Sequence, residues 1–233
     1  MMIPLGMHCR QVLAMATLFW LTAGSVLAER PSMVTPLGGN VAMPVVSMKD
    51  ARFLATLRQQ YDFSCGSAAL ATLLTHHYGL TVDEASVFQA MFERGNQEKI
   101  RAEGFSMLDM KHYLDSHGFD ARGIEGTLDQ LAQAGVPAIV LIQENGYAHF
   151  VVIKGVRDRD VLLGDPAMGT RVMPRADFER YWMNNILLLV ANRIELARFN
   201  RVEDWRIRPN APLQAQRDGT VIHALTRHSL VDF

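Results

Sequence analysis

The sequence predicts an α+β fold, helices packed on an antiparallel sheet, because its hydrophobic period changes once along the chain. Before Pro137, apolar residues recur at helical spacing behind capping residues. After it come short β-rich runs separated by turn residues. With 233 residues, 49% hydrophobic and 20% charged, the chain can bury one sizeable core. Its formal net charge of −1 gives no support for a nucleic-acid partner.

Taken in order, residues 1–28 read as a secretory signal peptide. They hold one arginine, an apolar stretch and Val26-Leu27-Ala28 as a small-residue cleavage pattern, with the cut expected after Ala28. An uncleaved anchor is the competing reading, weakened by Gly24 and Ser25, which interrupt the run where a spanning helix would continue. The expected localisation is therefore periplasmic or otherwise exported. Residues 29–50, rich in Pro, Gly, Met and Ser, form an irregular lead-in, and the main domain is expected over 51–193.

Within that domain, Gly66–Tyr78 reads as a helix burying Leu70, Leu73, Leu74 and Tyr78 and stopped by Gly79. Thr81 and Glu84 have capping-box spacing for a second helix running to about Phe92, and 94–104 reads as a polar loop or short turn. Ser106 caps a helix with Leu108, Tyr113 and Leu114 spaced for burial. Thr127 with Gln130 opens another, closed by Gly135. Strands are expected at 138–142, 149–156, 159–165 and 185–193. Residues 194–233 form an arginine-rich, nearly charge-balanced extension without a functional reading.

The chain has two cysteines, and cleavage after Ala28 would remove Cys9. An exported protein usually pairs its cysteines, so a lone Cys65 is either buried and inert or reactive. It sits at the expected start of an apolar helix, where unpaired N–H groups and the helix dipole favour a thiolate. A thiol nucleophile needs a base within hydrogen-bond reach and a third group to orient that base. Of the eight histidines, His149 alone begins a strongly apolar strand, while His76, His77, His112 and His117 lie on helices among charged or solvated positions. A structural histidine would suit position 149 equally well. Asp165 ends the next strand, and a hairpin between the two would bring it near His149 if the register holds; Asp165-Pro166 is otherwise a simple turn initiator. Gln59 and Gln60 precede the cysteine, and either could donate to an oxyanion.

These residues together resemble the bacteriocin-processing, double-glycine leader peptidases, a branch of the papain-like cysteine peptidases. Gln59 stands six positions before Cys65-Gly66, and SAALATLLTHHYGL, FSMLDMKHYLDSHGFDARGIEG, PAIVLI, HFVVIKG and LLGDPAMG follow in the family's order over roughly 52–193. The resemblance implies a papain-like fold, with Cys65 as nucleophile, His149 as base and acid, Asp165 as orienter and Gln59 as oxyanion donor. It requires no metal or cofactor. Family members are often domains of membrane exporters that cut after Gly-Gly. With an export signal instead, this chain resembles a stand-alone exported member of the kind found with secretion systems, including those that export functional amyloid subunits.

The function expected is thus cleavage of a peptide bond in a secreted protein, at a leader or after small residues such as Gly, with a secretion-system component as partner and neither nucleotide nor nucleic acid bound. Two alternatives stand beside it. One is a non-cleaving peptide-binding module or chaperone for exported subunits; the other is a papain-like cell-wall amidase or transglutaminase-like enzyme.

Overall fold

The computed structural model describes residues 32–34, 40–42 and 47–206. The expected signal peptide and residues 207–233 of the extension lie outside the described residues, as does most of the lead-in. A short antiparallel pair, β1 (Ser32–Val34) and β2 (Asn40–Ala42), belongs to a unit of its own.

The second unit begins at Val46. It runs α1 (Met48–Ala51), α2 (Cys65–Thr72), α3 (Glu84–Arg94), α4 (Gln97–Glu103), α5 (Met107–Ser116), β3 (Ala121–Glu125), α6 (Leu128–Ala134), β4 (Ala138–Glu144), β5 (Tyr147–Val156), β6 (Asp160–Asp165), β7 (Gly169–Pro174), α7 (Arg175–Tyr181), β8 (Ile186–Val190) and α8 (Val202–Trp205). The strands form a six-stranded antiparallel sheet in the order β3-β8-β4-β5-β6-β7.

Successive residues of a strand point to opposite faces, and β5 shows the result. Val152 packs with Leu70, Met110 and Leu188 in one core, whereas Val151 and Ile153 pack with Val140 and Phe178 in the other. Sandwiched strands of this kind read as continuous apolar runs, which is why HFVVIKGV stood out.

Helix α2 departs from the expected stripe. All eight of its residues are buried, because it is the central helix and is covered on every side, with the hydroxyls of Ser67 and Thr72 satisfied by Glu84 and the Leu57 amide. Its ladder widens into a π-turn over Leu73–His77, and Gly79, with φ of 72°, ends it. That turn buries His77 completely, contrary to the solvated position expected; Nδ1 lies 2.5 Å from the Arg198 carbonyl. The cap of α3 is Asp83 instead of Thr81, its side chain accepting from the Ser86 amide.

A helix, α4, replaces the expected loop, started by Asn96 accepting from the Lys99 amide. It had no apolar period to betray it because only Ile100 is buried. Leu108 is 57% exposed, not buried. It precedes Met110 by two positions, more than half a helical turn away from the buried set Met110, Tyr113 and Leu114.

Candidate active site

Residues 61–65 form the entry to α2. The Ser64 hydroxyl bonds Tyr61 on both sides, accepting from its amide at 3.1 Å and donating to its carbonyl at 3.0 Å. Ser64 therefore makes no side-chain cap for the helix. The amides of Cys65 and Gly66 in the first turn, and that of Phe150 on β5, favour the ionised form of the Cys65 thiol. Gly66 permits the tight seat, since a Cβ there would stand 3.0 Å from Phe105 Cβ.

The hairpin expected from sequence forms. Val152 pairs with Gly164 in the β5–β6 register, so His149 and Asp165 both project from the face opposite to those two residues. His149 Nε2 lies 3.1 Å from Asp165 Oδ2, and both side chains are buried. His149 Nδ1 is buried with no hydrogen-bond partner. The other oxygen, Asp165 Oδ1, accepts from the amides of Ala167 at 2.9 Å and Met168 at 3.2 Å. Burial alone would push this carboxyl up, but the hydrogen bond and charge of His149, the Arg171 guanidinium and the Ala167 amide outweigh it. The net position is below the ordinary carboxylate value.

Gln59 and Gln60 separate clearly. Gln59 is half-buried, its amide nitrogen bonded to the Tyr61 carbonyl at 3.1 Å and its Oε1 buried without a partner; Gln60 is exposed. The Gln59 backbone donates to the Pro166 carbonyl at 3.1 Å, which ties this segment to the Asp165 corner.

Two residues were missed. Arg171 on β7 donates through Nε to Asp165 Oδ2 at 3.0 Å and through a terminal nitrogen to Glu144 at 2.7 Å. Tyr147 stacks on His149 with centroids 5.4 Å apart and donates to the Asp62 carbonyl at 3.0 Å. Neither had a sequence signal, as an arginine in an edge strand and a tyrosine beside a turn are ordinary.

Cys65 opens into a groove of about 630 Å³ walled by Phe63, Phe105, Leu141, Tyr147 and Phe150, with Lys99, Arg101 and Glu103 at its rim. A second depression of about 830 Å³, lined by Leu108, Ile124 and Leu188, shares Met107, Asn184 and Ile186 with the first. Its lining accounts for the exposed Leu108.

One electrostatic expectation is reversed. Burial pushes the Cys65 thiol up from its usual value of 9.0, and the Asp165 charge adds to this; the amides of Phe150, Gly66 and Cys65 offset only part. The helix terminus alone does not make a thiolate here, so a base is needed. Alkylation of Cys65 by iodoacetamide should accordingly keep accelerating as pH rises through 9.0. A rate already flat below neutral pH would mean a preformed thiolate instead.

Residues 54–194 match the Peptidase C39 family. The Probable functional amyloid protease FapD of Pseudomonas aeruginosa is 41% identical over 77% of this chain and 78% of its own length. The protein of the same name from Pseudomonas fluorescens is 36% identical over 93% of each chain. Among solved structures, the peptidase domain of Streptococcus ComA is 23% identical, with a TM-score of 0.49, covering 58% of this chain and 97% of that one. The chain belongs to the Peptidase C39 family. It is a cysteine-type peptidase with a papain-like fold.

Proposed function

We propose that this chain is an exported peptidase that cuts a secreted protein of a functional amyloid system, with Cys65, His149, Asp165 and Gln59 as its catalytic set. The observation that carries the reading is the buried His149–Asp165 pair, whose unpartnered Nδ1 belongs to the residue next to Phe150, which lines the groove of Cys65. The names of the two Pseudomonas relatives support the substrate class proposed.

In this mechanism, His149 Nδ1 takes the thiol proton as Cys65 attacks the scissile carbonyl. The new oxyanion receives the Cys65 amide and the second N–H of Gln59, the first being engaged by the Tyr61 carbonyl. His149 returns the proton to the leaving amine, and the C–N bond breaks to leave a thioester. Water, deprotonated by the same imidazole, then releases the acid and restores the thiol. The aromatic walls beside the sulfur favour small residues such as Gly next to the cut, with a longer apolar segment lying along the continuous groove.

The test is a comparison of N-termini in periplasmic and secreted fractions from cells carrying the wild type or Cys65→Ala. A terminus present only with the wild type, in a secreted protein, is the expected result. Identical sets of termini would defeat the reading.

A further inference from the structure

Residues 52–59 cross the β6–β7 end of the sheet as a strap. The Thr170 amide donates to the Arg52 carbonyl at 2.7 Å, the Leu57 amide donates to Thr72 Oγ1 at 2.9 Å, and the Thr56 and Thr170 hydroxyls lie 2.6 Å apart. The strap ends on Gln59, bonded to Pro166. Its one charged anchor is Lys154 Nζ, which donates to the Ala55 carbonyl at 2.7 Å. Lys154 is fully buried on β5.

A buried ammonium is tolerated only when paired. Its carboxylate is Asp204 on α8, 3.6 Å away, which lies beyond the residues matched by the family. The segment carrying Asp204 is fastened beside Lys154 by several contacts. The Asn200 amide donates to the Lys154 carbonyl at 2.9 Å, and its side chain bridges the amide and carbonyl of Val156 at 2.9 and 3.0 Å. Arg157 lies over the Trp205 ring at 3.9 Å, and Gly155 leaves the space that Asn200 fills, where any Cβ would overlap it. The neighbouring His77 is held neutral, burial and then the Lys154 charge pulling it down to about 3. Burial likewise lowers Lys154 itself to about 8, and the charge and hydrogen bond of Asp204 oppose that fall.

We infer that the segment following the peptidase domain, through Asp204 and Lys154, is a positioning element that fixes the strap and thereby the side chain of Gln59. The inference rests on Gln59 being the oxyanion donor. It gives the extension a role that the composition of residues 194–233 did not suggest. Lys154 and Asp204 touch no reacting atom, and their effect reaches the chemistry only through the strap.

The experiment uses the full chain with Asp204→Asn and Lys154→Met, each also combined with Gln59→Ala. Hydrogen exchange should show lost protection at the Leu57 and Gln59 amides in both single variants. With a synthetic peptide spanning a Cys65-dependent terminus, kcat should fall by as much as about 10²-fold for Lys154→Met, the scale of a small misplacement. The effect of Asp204→Asn should be smaller, and KM should hold. Neither substitution should reduce kcat further once Gln59 is alanine, and iodoacetamide should label Cys65 at the wild-type rate. Unchanged exchange in Asp204→Asn, or losses that multiply in the Gln59→Ala background, overturn the inference while leaving the peptidase reading intact. If Lys154→Met does not fold, Asp204→Asn and Gly155→Ser, which displaces Asn200, carry the same test. A wild type that cleaves nothing overturns both.

Discussion

His149→Ala is expected to slow peptide cleavage by about 10⁶-fold and Asp165→Asn by about 10⁴-fold, the sizes seen when the base and its orienter are removed from serine triads. The gap between them follows from what each group does. Asp165 is held ionised and can only accept, so its contact with His149 puts the ring proton on Nε2 and leaves a lone pair on the buried, unpartnered Nδ1. An amide at position 165 would turn its oxygen toward the Ala167 and Met168 N–H groups that already hold Oδ1. Its NH₂ would then face both the imidazole and Arg171 Nε, two donors with nothing to accept. The ring would be driven to the other tautomer, with its proton on the nitrogen that must receive the thiol's. Single-turnover rates on a peptide spanning the mapped cut would measure this, and a loss under tenfold for Asp165→Asn would remove the carboxylate from the mechanism.

The same residue makes a stability prediction of definite sign. Its folded carboxyl lies below the unfolded 3.8, so its contribution is present above that value and is lost as pH falls through the folded one. Asp165→Asn should therefore be less stable than the wild type at neutral pH, with the difference shrinking in acid.

Sequence reached the centre of this molecule more readily than its edges, for physical reasons. His149 and Asp165 came together because a short hairpin leaves few registers and each register fixes the faces of both strands. The strands of the sheet interior were legible as apolar runs because both of their faces are covered. β7 and α7 were not, since β7 lies at the sheet edge with two half-buried residues and α7 buries only Phe178. Capping rules located Ser106 and Thr127, both of which form complete capping boxes. They misplaced the start of α3 because Asp83 competes with Thr81 two positions away. The thiol's electrostatics could not be read at all: a helix start is local, but the desolvation that dominates here depends on Phe105, Phe150 and the rest of the core closing over the sulfur.

Gln59→Ala should lower kcat by about 10²–10³-fold with KM little changed, whereas Gln60→Ala should remain near the wild type. The two side chains are chemically identical and adjacent, so the contrast isolates position from composition. Gln59 is held by its backbone bond to Pro166 and by its side-chain bond to the Tyr61 carbonyl, directly ahead of the cysteine. Gln60 is one residue on and points to solvent. An oxyanion donor matters only as charge develops on the carbonyl oxygen, so its loss should appear in the chemical step and not in substrate affinity. Gln59→Glu sharpens the comparison: it retains the size of the side chain but replaces the N–H donor with an acceptor, and should be at least as impaired as Gln59→Ala. Equal rates for Gln59→Ala and Gln60→Ala would leave the Cys65 amide without its side-chain partner and would shift the search for a second donor to Tyr147, whose side chain lines the same groove as Cys65.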